Sequence, residues 1–168
     1  AILIELAGDS EPAVMAAALR PLIDLKSTLA LSIAEKSVGH ADSRVRSLCI
    51  ESLAAFPTPD RITLIAGRLD DLHPANRAAA REILLTQGKN AGFNEQVRGL
   101  VSKSLSTDSW RAQEQAALLA GALDHEPTAD RLIELLDSPR PETFIASAWA
   151  LRELSVPATA PMIQAKLE

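Results

Sequence analysis

RVRSLCIESLAAFPTPDRITLIAGRL, residues 44–69, is the stretch whose reading decides the fold. It holds two amphipathic segments separated by a turn that contains Pro57 and Pro59. In the first, Val45, Cys49, Leu53 and Phe56 stand at offsets 0, 4, 8 and 11. Those offsets fall on one side of a helix with 3.6 residues per turn. The small residue midway lets a neighbouring helix come close, and the leucine one turn later fills the space between them. The second segment carries Ile65 and Leu69 one turn apart. Proline cannot continue a helix in its interior, so the pair reads as a helical hairpin.

The same hairpin recurs along the chain. Taking Val45 as the anchor, Val14 lies 31 residues before it, and Asn76, Ala112 and Thr143 follow at steps of 31, 36 and 31. Four residues after the anchors stand Ala18, Cys49, Ala80, Ala116 and Ser147, all small; eight after stand Leu22, Leu53, Leu84, Ala120 and Leu151. Eleven after stand Leu25, Phe56, Gln87, Leu123 and Leu154. A second helix precedes each anchored one, marked by Leu3, Ala34, Ile65, Val101 and Leu132, and one turn later by Ala7, Val38, Leu69, Leu105 and Leu136. Projected past the last anchor, the period predicts apolar Ile163 and Leu167 in a helix over residues 158–167. A fixed period of this length is the mark of a stacked repeat array. The expectation is an all-α chain, an α-α superhelix of about five and a half helix pairs over residues 1–168. It reads as a single array and as a piece of a longer one.

The slot contents carry a family resemblance. Val45-Arg46, Asn76-Arg77, the runs Ala78-Ala79-Ala80 and Ala116-Ala117, and Gly121 resemble the short HEAT repeats of phycobilin lyases and bacterial scaffold proteins. Gln113 and Phe144 depart from that pattern in the arginine slot, and only Gly121 fills the glycine slot. The resemblance covers essentially the whole chain. It implies a right-handed superhelix whose first helices line a concave face, and a noncatalytic scaffold that binds a protein partner there.

Connections follow from local chemistry. Pro21 predicts a kink or break near the end of the helix that starts at Pro12, and Gly39 the end of the return helix. The five additional residues between Asn76 and Ala112 place a surface loop at QGKNAGFN, residues 87–94.

Composition excludes several roles. The net charge of −5 and pI near 5.2 argue against nonspecific binding to nucleic acid or anionic membranes. No apolar run approaches the about 20 residues of a membrane-spanning helix. Cys49, between Leu48 and Ile50, reads as core filler. His40, His73 and His125 read as solvated turn residues. Iron-binding hydroxylases with HEAT-like folds use repeated His-Glu pairs, and only His125-Glu126 matches here, so no metal or other cofactor is expected. Nor is there a nucleophile motif or a phosphate-cradling glycine loop.

Candidate binding residues come from the slots that face away from the small residues. Six after each anchor stand Arg20, Glu51, Glu82, Leu118 and Trp149; two after stand Ala16, Ser47, Ala78, Glu114 and Ile145. The surface thus passes from charged to apolar along the chain, and Leu118, Ile145 and Trp149, joined by Trp110, form a predicted partner patch. Arg20, Arg44, Arg46, Arg77, Arg81 and Arg111 lie on the anchored helices. Of these, Arg46, Arg77 and Arg81 are candidate partner contacts, although Arg46 and Arg77 also suit pairing with turn aspartates such as Asp42 and Asp71. Each exposed pair of that kind would contribute only ~0–1 kcal/mol. Two other roles compete: a chromophore- or ligand-binding protein of the lyase type, and nucleic-acid binding through the arginines.

Overall fold

The structure, a computed structural model, describes residues 2–155 together with 161 and 164. Among the described residues there are ten α-helices and no strand. They are α1 (Ile2–Leu6), α2 (Pro12–Asp24), α3 (Leu31–Ser37), α4 (Ser43–Ala54), α5 (Pro59–Ala66), α6 (Pro74–Gly88), α7 (Asn94–Leu105), α8 (Trp110–Ala122), α9 (Ala129–Glu134) and α10 (Pro141–Glu153). The fold is all-α, of the α-α superhelix class, with helices paired as the period requires. The helix expected over residues 158–167, with Ile163 and Leu167, lies outside the described residues apart from positions 161 and 164.

The chain divides into two compact units, Ala1–Ala80 and Arg81–Glu168, with the boundary inside α6. In the first, α4 packs against α2, α3 and α5. Val45, Cys49 and Leu53 on α4, Ala34 and Val38 from the α3 hairpin arm, and Ile65 and Leu69 from the α5 arm are all buried. Asp42 caps α4, its Oδ1 accepting from the Arg44 N–H at 2.8 Å. Thr58 caps α5 in the same way, with Pro59 in its first turn. In the second unit α8 packs against α7 and most extensively against α10, and α9 packs on α10. Val101, Leu105, Ala116, Ala120, Leu132, Leu136, Ser147 and Leu151, all slot residues, are buried.

Two anchors are polar, and the structure gives the reason. Asn76 is buried with its Nδ2 donating to the Ser43 carbonyl at 3.1 Å, and Thr143 is buried with its Oγ1 donating to the Trp110 carbonyl at 3.4 Å. In each case the acceptor lies two residues before the preceding anchor, so the polar anchor ties one repeat to the start of the last.

Several local expectations are corrected. Leu25, expected on the packed face, is 74% exposed, because the chain leaves α2 through Lys26 in the left-handed region (φ 48°). The residues that end helices in that conformation are Lys26, Asp124 and Ser155, and no described glycine, Gly39 included, has a positive φ. Pro21 does not split α2, which runs on to Asp24. The carbonyl it frees belongs to Ala17, on the exposed side of the helix, where water can satisfy it. The loop expected over residues 87–94 is shorter, since α6 continues to Gly88 and α7 begins at Asn94. Gly88 is buried against Leu123 and Val97, and the Asn94 side-chain amide donates to its carbonyl.

Candidate functional site

Three features can be built from the side chains: a row of turn clamps, an apolar cleft, and a groove at a tryptophan.

The clamps occupy the arginine slot. Arg46 Nη1 donates to the carbonyls of His40 and Ala41 at 2.8 Å each. Arg77 Nη1 donates to Asp71 and Leu72 at 2.9 and 3.4 Å. Gln113 Nε2 donates to Thr107 at 2.6 Å. All three reach back to the turn five or six residues earlier, so Gln113 performs the task although it breaks the arginine pattern. Arg46 also forms a fork with Asp71, Nε to Oδ2 and Nη2 to Oδ1 at 2.7 Å each. The two side chains are 8% and 0% exposed, so this is a buried ion pair rather than the surface pair expected. Burial alone would raise the Asp71 carboxyl, but the Arg46 fork and the His73 N–H outweigh it and hold the carboxyl below its ordinary value. Asp42 pairs instead with Arg44, at 2.8 Å. Arg46 is therefore spent on its own turn and on Asp71 in the turn of the next repeat, and Arg77 is half-buried against its own turn.

The cleft lies in the second unit. Leu85 and the Arg81–Glu82 pair of α6, Leu118, Leu119 and Ala122 of α8, and Trp149 of α10 enclose about 270 Å³. Its shape follows from the small residues of α8. Ala112, Ala116, Ala117 and Ala120 are buried there, and Ala120 takes the slot that leucine fills in the other repeats. Gly121 completes the approach: a Cβ there would stand 2.8 Å from Trp149 Cζ3 and 2.9 Å from Ala150 Cα. The backbone of α10 thus comes against α8, and the indole leans over the glycine. One edge is polar. Arg81 Nη1 donates to Gln115 Oε1 at 3.0 Å, Arg81 Nη2 to Glu82 Oε1 at 3.0 Å, and Gln115 Nε2 to Glu114 Oε2 at 3.0 Å.

Of the predicted patch, the structure brings Leu118 and Trp149 together in this cleft, with Arg81 at its edge. Ile145 does not line the cleft; it is 63% exposed, one turn before Trp149 on α10. Trp110 stands apart. It opens α8, eight residues or about 12 Å of helix from Leu118. Its ring is flanked by the guanidinium carbons of Arg111 and Arg140, 5.5 and 5.3 Å from the ring centroid, and it lines a turn groove of about 480 Å³ with Gln113, Leu135 and Pro139. Leu85, Leu119 and Ala122 were not anticipated. They stand nine, seven and ten residues after their anchors, so no single slot of the period marks them.

The remaining arginines of the anchored helices are largely matched by acids. Arg20 meets Glu51 at 2.9 Å across adjacent repeats, and Arg81 meets Glu82. Cys49 is fully buried, and burial pushes its thiol up to about 12, which makes it inert near neutrality. Of the histidines, His73 is exposed, while His40 is half-buried with its Nδ1 accepting from the Asp42 N–H at 3.0 Å. His125 overturns the expectation of a solvated turn residue: it is 8% exposed and hydrogen-bonded at both ring nitrogens. No group of histidine, cysteine and carboxylate among the described residues is placed to hold a metal. None of the described helices is long and apolar enough to cross a membrane.

A family model described as HEAT repeats matches residues 1–85. Among solved structures, the crystal structure of an engineered protein is similar at 16% identity and a TM-score of 0.48, over 92% of this chain and 78% of that chain. No curated protein matches the chain. The paired helices, the buried small-residue slots and the family match together place the chain in the HEAT-repeat family.

Proposed function

We propose that the chain is a noncatalytic interaction module that docks a protein partner on the helix face formed by residues 81–88, α8 and α10. The observation that carries this reading is the cleft of Leu85, Leu118, Leu119, Ala122 and Trp149, apolar on its walls and polar along the Arg81–Glu82 edge. A half-buried tryptophan at an apolar depression is the usual composition of a binding hot spot. At about 270 Å³ the cleft suits one or two large apolar side chains of a partner rather than a whole cofactor. Ile145 extends the apolar contact one helical turn, and Arg81 offers the polar edge. Arg46 serves its own turn and the Asp71 turn of the next repeat, Arg77 serves its own turn, and Trp110 belongs to a separate groove.

The pairing of Arg20 and Arg81 with glutamates weakens the case for nucleic acid, since phosphate binding draws on uncompensated cations. Capture experiments from extracts of the source cells test the reading. Wild type, Trp149→Ala and the exposed-site control Lys103→Ala are compared. Partners retained by wild type and Lys103→Ala but lost with Trp149→Ala are expected; full retention by Trp149→Ala would remove the cleft from the binding site.

A further inference from the structure

The second unit contains a buried titratable group that the docking reading does not use. His125 follows α8 at a corner where Asp124 takes the left-handed conformation (φ 51°). The corner closes as a helix-ending motif, the His125 N–H donating to the Ala120 carbonyl at 2.9 Å and the Asp124 N–H to Gly121 at 3.2 Å. Arg98 of α7 clamps it from the side, with Nη1 donating to the Asp124 carbonyl at 3.1 Å and Nη2 to that of Leu123. Its Nε is held by Asn94 Oδ1 at 3.1 Å.

The imidazole completes the clamp. Its Nδ1 lies 3.3 Å from Arg98 Nη1, and its Nε2 lies 3.0 Å from Ser102 Oγ. A guanidinium can only donate, so Nδ1 must accept and the ring must be the neutral tautomer with its proton on Nε2. A second proton would turn the acceptor into a donor facing a cation, on a residue only 8% exposed. Charged groups on the surrounding elements offer no compensation: Lys103 on α7, Asp124 and Glu126 beside the ring, and Asp130 at the start of α9 are all exposed. Among the described residues only Arg98 brings a charge to the ring.

We propose that His125 and Arg98 form an acid-sensitive latch between α7 and the end of α8, closed while the imidazole is neutral and released when it takes a second proton. Release frees the carbonyls of Leu123 and Asp124 and lets the strained corner relax, while the first unit stays folded. Consistent with this geometry, burial first and Arg98 second depress the basicity of the ring. The latch stands independently of the docking reading, because its parts lie outside the cleft.

Amide hydrogen exchange on the whole chain, corrected for intrinsic rates, at about pH 7.5 and about pH 5 tests it. Exchange in residues 120–128 and 98–105 is expected to quicken by up to about tenfold for each pH unit below the ring's ordinary 6.5, levelling off below its depressed folded-state value, while residues 45–53 stay unchanged. In His125→Gln, whose amide can accept from Arg98 and donate to Ser102 without titrating, the acid response is expected to vanish. Equal acid response in wild type and variant would overturn the latch, as would quickening shared by residues 45–53. Should the variant fold poorly, NMR titration of the wild type decides: His125 is expected to titrate below the ordinary 6.5 of an imidazole, and titration at or above that value would refute the proposal.

Discussion

Gly121→Ala isolates the close approach that shapes the cleft. The new methyl carbon would stand 2.8 Å from Trp149 Cζ3, 2.9 Å from Ala150 Cα and 3.3 Å from Ala150 Cβ. The indole can swing away, but the Ala150 backbone can move only if α10 shifts, by about half an ångström to restore ordinary contact. Overpacking of this kind costs about 1–3 kcal/mol, while replacing a mid-helix glycine by alanine returns about 1 kcal/mol in helix propensity. The net expectation is a loss of up to about 2 kcal/mol, or a fall in Tm of up to about 8 °C for a chain of this size. Gly99→Ala is the internal reference. Gly99 lies inside α7 with nothing within 4 Å of the added methyl, so only the propensity gain remains and Tm should rise. Gly88→Ala falls between, because its methyl meets the flexible ends of Leu123 at 2.8 and 2.9 Å rather than backbone. Thermal unfolding followed by circular dichroism, with tryptophan emission as a second probe, reads all three. A Gly121→Ala protein as stabilised as Gly99→Ala would refute the claim that α10 rests on that glycine.

Four further outcomes follow from the clamps and caps. Asp71→Ala strands the buried Arg46 guanidinium and should cost about 3 kcal/mol in chemical denaturation, well beyond the effect of removing the exposed Arg44. Because the Asp71 carboxyl titrates below its ordinary 3.8 in the folded chain, the unfolded chain takes the proton first. Its contribution is therefore intact above that ordinary value and lost as pH falls through the depressed one, and Asp71→Asn should flatten this acid limb of the stability profile. Asn76→Ala leaves the Ser43 tie unmade and should cost about 1 kcal/mol by the same assay, whereas an unchanged midpoint would deny the tie any weight. Lys26→Gly relieves a left-handed residue at the end of α2, where Lys26 N–H meets the Ile23 carbonyl at 2.8 Å, and should stabilise by about 0.5–1 kcal/mol; a destabilised variant would show that Lys26 is not strained.

The repeat was legible because burial acts on a period. Each hairpin buries the same faces, so Ala18, Cys49, Ala80, Ala116 and Ser147 announce the contact wherever they fall. What the period cannot carry is chemistry that depends on a neighbour in space. Arg46 could be matched with Asp42 or Asp71 from the sequence, and only the turn geometry selects Asp71. Gln113 looked like a lost arginine, yet its amide reaches the same turn carbonyl. His125 reads as a turn residue because it follows a helix end; Arg98, 27 residues earlier, encloses it. Leu118 and Trp149 were recognisable as apolar residues in a charged slot, but the slot did not separate Trp110, at the far end of the same helix, from their cleft. Leu25 fails for a local reason, since a left-handed residue beyond it turns the chain before its side chain can pack.

The docking face can be tested most directly by photo-crosslinking. A benzoylphenylalanine placed at position 145, one turn from Trp149, is compared with one at position 103, exposed on α7, in extracts of the source cells. The account predicts an adduct from position 145 that excess unlabelled wild type competes away and Trp149→Ala does not, with none from position 103. An equal adduct from position 103, or full competition by Trp149→Ala, would contradict it.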